Sequence, residues 1–377
     1  MERTNVQKTD GMSYAPKGKA VRVCEPGEFR FAVVGLDHGH IYGMTNGLLE
    51  AGAELVSVFD PDAAKLQAFQ RAYPDVRVAR SEQEVLDDAS VQLVASASVP
   101  CERGPLGVRV MAHGKDVFTD KPPFTSLAQL EQARAAVLRT GRKYAVYYSE
   151  RLHVEAATYA TELISGGAIG RVLSVIGFGP HRLNPATRPA WFWDKQRSGG
   201  ILCDIGSHQI EQFLFWSGAK NARVLHSKVA SYRAEHVGFE DYGDASLLAD
   251  NGATHFLRVD WFTPDGLGAW GDGRTFITGT TGSIELRKYL DVARDAEGDH
   301  VYLVDGRGEQ HISARGKAGF PFFGQLILDC LNRTERAMTQ EHAFKAIELA
   351  LIAQASALAI ADVQPMEGSS PMRGGAV

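Results

Sequence analysis

Between Phe31 and Ser149 apolar runs of strand length alternate with helical stretches, and no other feature restricts the fold as tightly. "FRFAVVG" is a continuous apolar strand, "IYGMTNGLLEAG" a short helix and "AELVSVFD" a second strand. "PDAAKLQAFQRAYP" reads as a helix with proline stops, followed by "VQLVASAS" as a strand. "GPLGVRVMAHG" (helix), "KDVFTD" (strand), "SLAQLEQARAAVLRTG" (helix) and "KYAVYYS" (strand) complete the series. A strand that is apolar throughout must be covered on both faces, and the helices between supply the cover. The expected fold is therefore α/β, with a doubly wound parallel sheet over 29–150.

After Arg151 the pattern changes. One helix, "VEAATYATELISGGAIG", leads to "RVLSVIGFG" and then to alternating runs such as "GATHFLRVDWF" and "RTFITGTTGSIELR". Leu257, Val259 and Trp261 share one face at period two, as a mostly antiparallel sheet with one covered side requires. Residues 151–362 thus read as an α+β domain built on a large open sheet, closed by the helix "EHAFKAIELALIAQASALAIA". Residues 1–28 form a leading arm whose alternating Val21 and Val23 suit a sheet edge, and 363–377 a Gly/Pro/Ser tail. Two domains agree with 377 residues, since single cores stop growing near ~250–300.

A net charge of −5 offers no general attraction for nucleic acid or anionic lipid. Cys24, Cys101, Cys203 and Cys330 are far apart and form no CxxC pair, which fits a reducing compartment. The polar N-terminal segment lacks a signal-peptide core, and no window approaches the ~20 apolar residues of a membrane span. The expected compartment is the cytoplasm.

Three stretches carry chemistry. In "VVGLDHGHIYG" a dinucleotide turn wants glycine at three places. Gly35 keeps the first, Asp37 and His40 occupy the others, and Gly39 lies one position early. Asp37 near a diphosphate is repulsive unless it turns away or pairs with His38 or His40. Asp60 ends the next strand, about 20 positions after His40, the spacing of an acid that takes ribose hydroxyls. A nucleotide-free turn with a capping Asp explains these residues as well. "FDPDAAK" puts no Arg or Lys directly after Asp60, which favours NAD over NADP.

In "FTDKPPFT", Lys121 emerges at the carboxyl end of a strand, where open α/β sheets bind ligands; an exposed surface lysine is the alternative. In "SGGILCDIGSHQIEQFLFW", Asp204 and His208 are four apart and share a helix face. Such a pair suits proton transfer, and equally an N-cap beside a satisfied histidine. Neither His38 with His40 nor Asp204 with His208 has a clear third partner, so no metal is expected.

Together these stretches resemble the Gfo/Idh/MocA oxidoreductases, over roughly Phe31 to Ala361. "DKP" (Asp120, Lys121, Pro122) matches the family's Glu-Lys-Pro with Asp for Glu. "GGILCDIGSHQIE" matches its glycine-led helix start, with Asp204, Gly206 and His208 in place and Glu211 for the usual Asp. "ERLHVEAATYATELISGGAIGRV", with Arg151, is similar to its linker helix. Near "SVPCERG" the family commonly has Thr-Pro followed by His, whereas Arg103 falls there.

The resemblance implies an NAD-dependent oxidoreductase (NADP possible) acting on a sugar, cyclitol or related polyol. It implies cofactor contacts from Gly35, Asp37, His38, Gly39, His40, Asp60, Ser98, Lys121 and Pro122. In the catalytic group, His208 is the acid/base, Lys121 holds and polarises the reacting oxygen, and Asp204 orients the site. These three would also touch substrate together with Arg151, Arg188, Trp191 and Trp193, although packing in the core explains the tryptophans equally. A glycoside-cleaving enzyme that oxidises its sugar transiently, and a cofactor-sensing regulator, are the competing readings. Phe256 and Phe262 on the second face of the alternating sheet predict a homodimer or homotetramer paired through C-terminal sheets.

Overall fold

The computed structural model describes residues 11–16, 20–233 and 238–360. The alternating section forms β1 (Arg30–Val34), α1 (His40–Glu50), β2 (Glu54–Phe59), α2 (Ala63–Ala72), β3 (Arg77–Val78), α3 (Glu82–Asp87), β4 (Leu93–Ser96), α4 (Pro100–Ala112), β5 (Asp116–Asp120), α5 (Leu127–Thr140) and β6 (Tyr144–Tyr147). All six strands are parallel, in the order β3-β2-β1-β4-β5-β6. β4, β5 and β6 are buried at every position because helices cover both faces. α2 starts where the Asp62 carboxylate accepts from the Ala64 and Lys65 amides, and α5 stops at Gly141 in the left-handed region. β3 and α3 have no counterpart in the sequence reading, since two and six residues are too few to show a period.

The second part contains α6 (Ser149–Leu152), α7 (Glu155–Ser165), β7 (Val172–Pro180), α8 (Lys195–Ser198) and a π-helical turn (Leu202–Gly206) running into α9 (Ser207–Ser217). β8 (Ala222–Ala230), β9 (Tyr242–Ala249), β10 (Thr254–Asp260), β11 (Arg274–Gly279), β12 (Gly282–Arg287), β13 (His300–Asp305) and β14 (Gly308–Ser313) follow, then α10 (Pro321–Asn332), α11 (Gln340–Ser356) and β15 (Leu358–Ile360). Nine strands form one sheet in the order β14-β13-β12-β11-β7-β10-β9-β8-β15. Only β7–β10 and β8–β15 are parallel pairs. The closing helix ends earlier than expected: Ala357 turns extended and Leu358–Ile360 pairs with β8. Val21 and Val23 form no strand; the Val23 amide instead donates to Ala51 O. The C-terminal tail lies outside the described residues.

α9 lies on one face of this sheet, with Gln209 and Ile205 packed onto Gly177 and Gly179 of β7, and Leu257 and Val259 are fully buried there. On the opposite face a cross-strand row runs Phe256–Ile176–Phe276. α10 and α11 return to the first sheet. Phe323 packs so closely on Gly47 of α1 that a Cβ there would meet its ring at 2.4 Å, and Tyr148 donates to Ala343 O. These contacts fix the two sheets around a shared cleft.

Candidate active site

Strand order reverses between β1 and β4, and ligands of open α/β sheets bind outside the carboxyl ends of strands at such a point. A cleft opens there. The first sheet contributes His38, His40, Pro100, Arg103 and Lys121, and α6 contributes Ser149 and Glu150. The far wall is His181, Arg188, Trp191, Asp204, His208 and an aromatic group including Trp261, Trp270 and Tyr289. Gly11, Met12 and Tyr14 of the leading arm close one side.

The turn after β1 can receive a dinucleotide. Gly35 has φ +84°, and a Cβ there would meet Ser98 Cβ at 2.7 Å, so only glycine fits. Asp60 is buried and ties the turn together, accepting from the Leu36 amide at 2.7 Å and the Asp62 amide at 2.8 Å. Among the described residues the Asp37 and Gly39 amides make no hydrogen bond within the protein, and they stand at the start of α1, where amides and helix dipole favour an anion. Asp37 turns away to Lys65, Oδ1 to Nζ 2.6 Å. It pairs with neither histidine, because both rings are engaged elsewhere. Lys65 is the lysine of "FDPDAAK". It lies in the first turn of α2, so a cation does stand close to Asp60 although none follows it directly. Ser98 and Pro122 do not line the cleft; Ser98 backs Gly35, and Pro122 O accepts from Arg103 at 3.1 Å.

The structure brings Lys121, Asp204 and His208 into the one cleft, though not with the expected pairing. Asp204 Oδ1 takes Lys121 Nζ at 2.6 Å, and its side chain makes no bond to His208. Burial raises the Asp204 carboxyl, but the adjacent ammonium outweighs that and holds it below the ordinary range. Gly199 and Gly200 both have positive φ (91° and 85°), and a Cβ on Gly200 would collide with Gln354; this kink delivers Asp204 from the π-helical turn. His208 is buried, its Nδ1 is without a partner, and burial, assisted by Lys121, His40 and His181, pushes it down to about 3. The imidazole is therefore neutral near pH 7.

His38 and His40 converge on Asp120, the "DKP" acid: His40 Nδ1 is 2.9 Å and His38 Nδ1 3.3 Å from its oxygens. The fold thus supplies the third group that the sequence did not show, with one ligand atom from each residue within 4.8 Å of the others. Those atoms are already engaged with one another, His40 Nε2 meets Gly11 O at 3.1 Å, and the Arg103 guanidinium lies 3.2 Å from Asp120 Oδ2. Two nearby cations, Arg103 and Lys121, oppose a metal ion, and we assign none. Arg103 is 1% exposed and donates to Ser98 O, Lys121 O, Pro122 O and Asp120. It ties the loops after β4 and β5 together and fixes the backbone from which Lys121 projects.

Arg151 does not reach the cleft. It grips Glu211 through Nε at 2.8 Å and stacks on Phe215 at 3.7 Å, with His342 on the same carboxylate at 2.9 Å. This explains Glu211 in place of Asp: the longer carboxylate spans from α9 to both α6 and α11. Trp193 lines a separate hollow with Phe239. Arg188 and Trp191 do line the cleft; Arg188 lies over Phe192 and Trp261 at 4.7 and 4.8 Å. Glu150, His181, Trp270, Tyr289 and the arm residues were missed. Each is isolated in sequence, and only the packing of the two sheets unites them.

Two family models match the chain: an oxidoreductase family with an NAD-binding Rossmann fold over residues 29–148, and a GFO/IDH/MocA C-terminal domain over residues 158–285. A solved oxidoreductase structure from Erwinia carotovora atroseptica SCRI1043 is 51% identical, with TM-score 0.86, covering 89% of this chain and 100% of that one. A scyllo-inositol 2-dehydrogenase (NAD(+)) of Bacillus subtilis (strain 168) is 27% identical over 288 residues, 74% of this chain and 78% of the relative. A scyllo-inositol 2-dehydrogenase (NADP(+)) of the same organism is 23% identical over 194 residues, 50% of this chain and 54% of the relative.

Proposed function

The chain belongs to the Gfo/Idh/MocA family of NAD-binding oxidoreductases, and from that premise we propose that it oxidises a secondary alcohol of a sugar, cyclitol or related polyol. The observation that carries the reading is the Lys121–Asp204 pair beside a neutral His208 in a cleft opposite the dinucleotide turn. A nicotinamide cofactor, when bound, supplies the hydride acceptor. Gly35, Asp60 and the amides of Asp37 and Gly39 would hold it, and these residues fit that task as described above.

The remaining chemistry falls to the chain. Lys121, held in place by Asp204, donates to the reacting oxygen and favours its deprotonated form. His208 takes the hydroxyl proton, a contribution of about 10²–10⁴-fold in such sites. Trp191, Trp261 and Trp270 offer stacking faces and indole N–H donors to a polar ring. The curated relatives act on scyllo-inositol by their names, which supports the substrate class.

A second copy of the chain is the proposed cover of the open sheet face. Phe256 and Ile176 are 37% and 36% exposed there; Phe262, 40% exposed, lies beyond β10 in a bridge to Arg182. A monomer by sedimentation at micromolar concentration would oppose this. The four cysteines are free and no described helix is long and apolar enough to cross a membrane; a reducing, cytoplasmic setting belongs to the same reading. The functional test is a turnover screen of polyols and sugars with NAD and with NADP, following NADH absorbance and product together. Net NADH formation supports a dehydrogenase, and product without net NADH supports transient oxidation instead.

A further inference from the structure

Glu150 opens the linker stretch that carries Arg151, was given no role there, and is one of the most constrained side chains in the cleft. It follows β6 on the short helix α6 and is 3% exposed. Its Oε2 accepts from Lys288 Nζ at 2.7 Å and from Gln209 Nε2 at 2.8 Å. Lys288 is itself buried, 2% exposed, so the ion pair holds the carboxylate charged and in one orientation. Oε1 is buried and makes no hydrogen bond in the described protein, although the residue lines the cleft.

An ionised carboxylate can only accept hydrogen bonds, and a buried acceptor left without a donor is costly. Among the described residues the lining also holds three donor-capable groups without partners, Trp191 Nε1, Trp270 Nε1 and His208 Nδ1. The residues that carry the acceptor and these groups line the same cleft, and a neutral ligand carrying several hydroxyls offers partners to them. A carboxylate or phosphate at that position would instead be repelled by Glu150.

We propose that Glu150 selects the substrate: its Oε1 accepts a hydrogen bond from a hydroxyl of the polyol other than the one being oxidised. The proposal rests on the polyol-dehydrogenase reading above. Lys288 and Gln209 are the positioning residues that aim the carboxylate, and the favoured class is a neutral polyhydroxy compound without an acid group near the reacting carbon.

The test uses the full-length protein with NAD, the polyol on which the parent is most active, and its monodeoxy forms. Glu150→Asp keeps the charge beside Lys288 and His208 but withdraws the oxygen by one methylene. A hydrogen bond to a charged group corresponds to about 10–100-fold in affinity. The expected result is a KM raised at least about tenfold with kcat little changed, and one deoxy form that the parent rejects by a similar factor while Glu150→Asp does not. Glu150→Leu combined with Lys288→Met, which deletes the acceptor and leaves no buried lone charge, should show the same loss of discrimination. Parental KM and parental discrimination in Glu150→Asp would overturn the proposal and leave the dehydrogenase reading standing. A parent that neither binds nor oxidises any polyol by calorimetry and turnover would overturn both.

Discussion

Replacing Lys121 by Ala tests the reaction and the stability of its site at once. The change removes the ammonium 2.6 Å from Asp204 Oδ1. Breaking a fully buried ion pair costs about 3–5 kcal/mol. The Asp204 side chain is 21% exposed, the Lys121 side chain 5%, and water can partly take over the freed carboxylate. A cost of about 1–3 kcal/mol follows, seen as a melting temperature lower by several degrees. Turnover should fall at least ~100-fold, the low end of a proton-transfer contribution, equivalent to about 2.7 kcal/mol of transition-state stabilisation. NAD affinity should persist by calorimetric titration, since Lys121 belongs to neither the turn nor the ribose acid. The double variant Lys121→Met with Asp204→Asn removes both charges and should regain most of the stability without regaining rate. Near-parental turnover in either variant would refute the role of Lys121. A rate that returns with stability in the double variant would show that the pair only holds the fold.

Three further outcomes follow from the geometry. Asp37→Asn frees Lys65 near the ribose acid, so NADP affinity should rise more than NAD affinity in calorimetric titrations; a severe loss of both would mean that the carboxylate itself binds cofactor. Arg103→Met removes every guanidinium bond to Ser98, Lys121, Pro122 and Asp120; it should cost about 3–5 kcal/mol in denaturant unfolding and lower turnover, and an unchanged midpoint would contradict its role as a tie. Burial holds His153 and His208 at about 3 and His181 and His255 at about 4, below the ordinary value near ~6.5. The unfolded chain then binds more protons in that window, so this stability is complete above about pH 6.5 and is lost as pH falls toward the folded values. Each histidine forfeits up to about 2 kcal/mol by about pH 5, and a flat melting temperature from about pH 7 to about pH 5 would contradict the buried, neutral assignment. For the same reason the acid limb of the oxidation rate should lie well below a histidine's ordinary titration.

The parallel sheet was legible because β1, β4, β5 and β6 are buried on both faces and so carry apolar centres without polar alternation. Leu257 and Val259 revealed the one-sided sheet by their alternation, whereas β15 hid inside a helix-like run of alanines and leucines, since only its pairing with β8 makes it a strand. Lys121, Asp204 and His208, which share one cleft, could be singled out because each sits at a motif with fixed local geometry. Their partners were not: Asp204 chose a lysine 83 positions away over the histidine four positions on, a competition decided by charge and inter-sheet packing. Arg151 was misplaced for the same reason, because Glu211 and Phe215 on another helix capture it. Glu150 stands beside Arg151 in the linker stretch, but nothing in that stretch marks it as facing the cleft. Its role depends on Lys288, 138 positions away, and no local pattern encodes that contact.

The central claim is that hydride passes between a substrate carbon and the nicotinamide while His208 takes the proton. The most direct measurement incubates a polyol deuterated at its secondary carbinol positions with NAD and the full-length protein, and reads the reduced cofactor by mass spectrometry. The account predicts NADH carrying one deuterium from substrate, formed at least ~100-fold more slowly by His208→Ala. Reduced cofactor without deuterium, or deuterium transfer at the parental rate in His208→Ala, would contradict it.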